Sequence, residues 1–186
     1  MSITEESAVE KNIYQRMIRA TKLEDAVYEE VENDRSATGQ AVGVIVISSL
    51  AAGIGAVTHG GLGGIIAALI GALIGWAVWI ALIYAIGVKL LPEPNTRSDP
   101  AELLRTTGFA ASPGVLRIAG IIPGLGPLLV LAASIWMLVA MVVAVRQALD
   151  YESTGRAVGV CLLGWLAQII IFAGLMALTG AGPEAV

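Results

Sequence analysis

Four long apolar runs dominate the chain, Ala41–Val57, Ile65–Leu91, Leu128–Val145 and Ala157–Leu178, with almost no ionisable side chain inside them. Each is near or above the roughly 18 to 20 residues that a helix needs to cross a bilayer. The pattern ahead of them is different. Val9, Ile13, Met17 and Thr21 recur at helical spacing, as do Leu23, Val27 and Val31, with charges between them. That stripe predicts one or two amphipathic helices over residues 4–36, lying at a membrane surface and leading straight into the first span.

Helix-breaking residues divide the apolar chain into elements. A first span over about 39–58 is rich in small residues and ends in the glycine loop His59–Gly64. A second over about 64–91 is long for one crossing, which predicts tilt or a start inside the loop. It stops at Leu91-Pro92-Glu93-Pro94-Asn95, because neither proline can continue a helix. Asp99-Pro100-Ala101-Glu102 then reads as a helix start, with Asp99 capping, Pro100 at the first helical position and Glu102 at the third.

The apolar stretch Val115–Ile122 is too short to cross alone, so a third span over about 106–122 needs the residues before it, with a bend at Pro113. Pro123, Gly124, Gly126 and Pro127 make a tight turn. A fourth span over about 127–149 and a fifth over 154–179, with Ser153 as its N-cap, complete the series before a short tail at 181–186. The predicted fold is all-α: a polytopic membrane bundle of about five transmembrane helices in one domain (39–180), behind an N-terminal amphipathic segment (1–38).

Composition supports the lipid environment. Hydrophobic residues make up 56% of the chain and charged residues 14%, against about 25% charged in a typical soluble domain. The net charge of −4 comes mostly from acids between Glu5 and Asp34, which leaves no basic stripe for nucleic acid. The acidic start, without a basic segment leading into an apolar one, predicts an uncleaved anchor rather than a cleaved signal.

Charge placement adds an orientation. Lys and Arg precede the first span and flank the junctions after spans two and four, whereas the loops near His59 and Gly124 and the C-terminal tail have none. The positive-inside rule therefore predicts a cytoplasmic N terminus and an extracytoplasmic C terminus.

Candidate chemistry is sparse. No Asp or Glu falls within spans one, two, four or five, and Arg117 is the one clear intramembrane charge. It has two readings: a structural group that snorkels, caps carbonyls freed at Pro113 or pairs with a partner's carboxylate, or a contact for a ligand or lipid headgroup. Gln168 is expected to hydrogen-bond between helices. His59 stands in its glycine loop without metal-ligand companions, and Cys161 reads as a small packing residue. Neither a cofactor, a metal nor a catalytic set is expected. Among 22 glycines, Gly60 and Gly64, then Gly71 and Gly75, form small-xxx-small pairs that predict close helix packing within or between chains.

Several segments together resemble the Yip domain family, in its bacterial members. They are Ala26-Val27-Tyr28-Glu29-Glu30-Val31-Glu32 before the first span and Gly108-Phe109-Ala110-Ala111-Ser112-Pro113 entering the third. Ile122-Pro123-Gly124-Leu125-Gly126, Ile135-Trp136 and the turn with Ser153 add to them. The resemblance covers roughly residues 22–178. It implies a five-span, N-in protein of a bacterial cytoplasmic membrane, related to the Rab-interacting Yip proteins of eukaryotes. The acidic Asp-Leu-Tyr-Gly-Pro type motif of many eukaryotic members is missing, which argues against GTPase-linked trafficking as the expected role. The expected role is a non-catalytic membrane organiser or accessory subunit, working through lipids, other membrane subunits or self-association. The alternative is a small solute transporter or channel component.

Overall fold

A computed structural model describes residues 12–55 and 61–179, with backbone alone at 61–65, 67–68 and 179. Two short helices come first, α1 (Ile13–Thr21) and α2 (Asp25–Asn33). Asn12 caps α1 by accepting from the Tyr14 N–H at 3.0 Å, and Leu23, in the left-handed region at φ 62°, turns the chain into α2. Three long helices follow in the bundle proper: α3 (Ala37–Gly55), α4 (Gly61–Ile83) and, later, α6 (Gly126–Ala148). α4 widens into π turns over Tyr84–Leu90. α7 (Thr154–Thr179) closes the chain, its Ser153 hydroxyl accepting from the Arg156 N–H at 3.3 Å.

Four helices are long and apolar enough to cross a membrane, over Ala37–Gly55, Leu69–Leu90, Gly126–Ala148 and Thr154–Leu178. The expected third span over 106–122 is not one of them. It is built instead as α5 (Pro100–Ala110) followed by a 3-10 helix over Ser112–Ile121. The capping box at its start is formed: Asp99 accepts from the Ala101 and Glu102 N–H groups, and Glu102 accepts from the Asp99 N–H. Pro113 does not bend a continuous helix but opens the 3-10 helix near its first turn.

The thin 3-10 helix lies between α3 and α6 and packs on both. With three residues per turn it is narrower than an α-helix, and glycines on its flanks narrow it further. A Cβ at Gly114 would strike Ser48 and crowd the Met137 sulfur, and one at Gly120 would lie 2.6 Å from the Gly55 carbonyl oxygen. Gly108 of α5 likewise faces Ala41. The contacts Gly108–Ala41, Gly114–Ser48 and Gly120–Gly55 follow both chains in the same sense, so the composite segment runs alongside α3 over most of its length. The turn at its far end uses Gly124 at φ 79°, then closes with Gly126 donating to the Ile122 carbonyl at 2.8 Å before Pro127 enters α6.

The densest core lies at the opposite end, where Tyr28, Val31, Leu103, Phe109, Val145 and Leu149 are fully buried. Cys161 packs in the same core as a free thiol. The outer faces of α4, α6 and α7 are lined with exposed Leu and Ile, Leu128, Leu131, Ile169 and Ile170 among them, as expected where hydrocarbon replaces water.

Candidate functional site

Two polar centres are built into this apolar frame. The first joins the N-terminal helices to the bundle. Arg16, wholly buried, donates to Glu30 at 2.8 Å, to Asp34 at 2.7 Å and to Gln40 of α3 at 2.9 Å. Arg19 adds bonds to Glu24 at 3.1 Å and Glu30 at 2.6 Å. Ser36, and then Arg16, bond the Asp34 carboxylate and hold it down at a pKa of about 2.

Arg105 of α5 enters from the other side, its Nε donating to the Val31 carbonyl at 2.9 Å and its guanidinium also to the Glu32 carbonyl. Glu32 itself is pushed up to about 7, first by burial and then by the nearby charges of Asp150 and Glu102. A third tie comes from α6, where the Trp136 indole donates to the Thr21 carbonyl at 2.7 Å. Arg16 and Arg105 were not singled out in the sequence. The one signal was the pair Glu30 and Asp34, like charges at i,i+4, which repel on a free helix and so point to a shared cation.

The second centre is a partly open cavity of about 540 Å³ among α3, α4, the 3-10 helix, α6 and α7. It gathers residues that the sequence had marked separately: Arg117, Gln168, Gly71 and Gly75 all line it. Arg117 donates from Nε to the Gly114 carbonyl at 3.2 Å and from Nη2 to the Ser48 hydroxyl at 3.2 Å. Among the described residues no carboxylate pairs with it. Ser48 lies seven residues from the Gly55 end of α3 and eleven from the Ala37 end, roughly 10 and 16 Å at 1.5 Å per residue, so the guanidinium sits at mid-height in the bundle.

The walls are aromatic. Trp79 and Trp165 stack with centroids 5.8 Å apart, a fit that depends on Gly164, where a Cβ would lie 3.0 Å from the Trp79 ring. Trp76 and Phe172 extend the same lining. The Trp79 indole N–H is buried with no acceptor among the described residues. Gln168 spans helices as expected, its amide donating to the Gly75 carbonyl at 3.1 Å. Gly71 meets no other element: a Cβ there would find nothing within 4 Å among the described residues. Gly60 and His59 lie outside the described residues, as do residues 180–186, and Gly64 is described by its backbone alone.

Among the described residues no group of three His, Cys, Asp or Glu side chains is placed to hold a metal ion. A family model, the Yip1 domain, matches residues 25–176, which takes in both centres except α1. No curated protein and no solved structure matches the chain.

Proposed function

The chain belongs to the Yip1 domain family, and from that premise we propose a non-catalytic membrane protein that works by contact, organising lipid or holding a partner subunit. The observation that carries this reading is the outward apolar pair of α1, a helix whose inner face already packs Ile13 and Met17 against the core. Its cation Arg16 points inward and is wholly buried, while Tyr14 and Ile18 point outward, 69% and 50% exposed. A helix in water gains nothing by this arrangement. One that meets lipid or an apolar partner buries the outward pair at its own surface. The ties through Arg16, Arg105 and Trp136 fix α1 and α2 on the bundle, so they act as a platform rather than a tether.

The arginines and lysines of the junctions support an N-in orientation in a cytoplasmic membrane. In that reading the composite α5 and 3-10 segment serves as the third of five crossings, because it follows α3 from one end to the other. The test is purification in mild detergent with a photo-crosslinker replacing Tyr14. Crosslinks to lipid or to a co-purifying membrane protein are expected, and a stable monomer that crosslinks to neither overturns the proposal. A reporter at the C terminus is expected outside the cytoplasm.

The cavity favours a second reading, a solute path. Flux through proteoliposomes that disappears in Arg117→Ala would support it over the first.

A further inference from the structure

The cavity has a chemical signature of its own. Six of its fifteen lining residues are tryptophan, phenylalanine or methionine, and the rest are small or polar. Its one charge is a guanidinium that stays protonated at any working pH. Arg117 Nε and Nη2 are engaged by Gly114 and Ser48, but Nη1 has no partner among the described residues. The Trp79 N–H likewise lacks an acceptor. Both unmatched groups are donors. A cation would find no carboxylate here, and a bare inorganic anion would leave the aromatic walls uncovered. The volume of about 540 Å³ falls inside the roughly 300–1,000 Å³ of small-molecule sites.

We infer that this cavity binds one anionic amphiphile, a carboxylate or phosphate head on an apolar tail, with the head against Arg117 and the tail among Trp76, Trp79, Trp165 and Phe172. The head supplies the acceptor that Arg117 Nη1 lacks and offsets a charge held at mid-height in the bundle. Gly71 and Gly53 line the same space, and neither would bring a Cβ within 4 Å of another group. Their role is to leave room for the tail. The site stands or falls independently of whether α1 meets lipid or a partner.

Three of the four tryptophans line the cavity, so the protein carries its own reporter. The full chain is placed in phosphatidylcholine nanodiscs and titrated with dibromostearate, whose bromines quench nearby indoles. Saturable quenching is expected in the wild type. Arg117→Gln should raise the half-saturating concentration by at least about tenfold, the scale of one charge-assisted hydrogen bond. Gly71→Leu and Gly53→Leu should abolish the saturable part by filling the tail space, and both are placed to fold because their new side chains meet open volume. Dibromo-phosphatidic acid in the bilayer distinguishes the source of the head. Saturable quenching by it as well assigns a phospholipid, and quenching by stearate alone assigns a free acid. Equal quenching by dibromo-phosphatidylcholine, or quenching unchanged in all three variants, overturns the inference.

Discussion

The Tyr151 phenol reaches across two helix ends to the Gly87 carbonyl, 2.9 Å away, and shares its proton with the Leu91 carbonyl at 2.7 Å. Both acceptors lie where α4 loosens into π turns, with Leu91 N–H bonded five residues back to Ile86. Wide turns leave carbonyls poorly matched, and Tyr151, almost fully buried, satisfies them from the turn between α6 and α7. The neighbouring loops lock in the same way: Arg156 pairs with Glu93 at 3.2 Å, and the Glu152 N–H donates to Glu93 at 2.8 Å. Tyr151→Phe keeps the ring and removes only the bond. It should cost about 1–2 kcal/mol, read as a lower thermal midpoint in detergent, while Glu93→Gln on the wetter side should cost less.

Arg16 is the strongest tie between the N-terminal helices and the bundle. Arg16→Met leaves Asp34 without a cation and Glu30 with Arg19 alone. Removing one partner of a buried pair costs about 3–5 kcal/mol, and since both acids keep some contact with water, the lower end applies here. Protease cleavage between residues 22 and 36 should rise steeply in this variant. Adding Glu30→Gln and Asp34→Asn should restore much of the protection, because the loss is uncompensated charge rather than packing. If the triple variant is as labile as Arg16→Met, the charge account fails.

Glu32 gives the platform a pH dependence. Its folded pKa of about 7 stands above the ordinary value of 4.5, so the folded state holds the proton more tightly than the unfolded chain. Between pH 4.5 and 7 the folded protein binds more protons, and stability falls as pH rises through that window, then levels off. Asp34 acts oppositely but lower: its carboxylate, held at about 2 against 3.8, contributes stability above pH 3.8 that is lost as pH falls toward 2. Glu32→Gln should flatten the thermal midpoint between pH 5 and 7, measured by melting at half-unit steps. An unchanged slope would remove Glu32 as its source.

The membrane character, the amphipathic start and the caps at Asp99 and Ser153 were legible because each is local: an apolar run, a helical stripe, a side chain beside its own backbone. The third span was harder to read. Its residues are apolar enough, but Pro113 and the demand for a thin element between α3 and α6 turn it into a 3-10 helix, and that demand comes from neighbours far along the chain. Arg117 and Gln168 were visible as isolated polar residues in apolar sequence. Their meeting with Gly71 and Gly75 around one cavity was not, since five elements separated by long intervals contribute to it. Arg16 looked like one more charge on an amphipathic helix, and only the fold shows it turned inward.

Glycine makes the same point in a form that can be tested. The small-xxx-small spacing drew attention to Gly71 and Gly75, yet the closest backbone approach involves Gly55, Gly120 and Gly126, on three different elements. A Cβ at Gly120 would meet the Gly55 carbonyl oxygen at 2.6 Å and the Val130 methyl at 3.0 Å, whereas one at Gly53 meets nothing within 4 Å. Backbone cannot yield as a flexible side chain can, so Gly120→Ala should cost about 1–3 kcal/mol by overpacking. Gly53→Ala, inside α3, should be neutral or stabilise by up to about 1 kcal/mol through helix propensity. Thermal melts of the two variants in one detergent decide the matter. Equal midpoints would mean that α3 and the 3-10 helix are not held in contact by these glycines, and the composite segment would lose its fixed place beside α3.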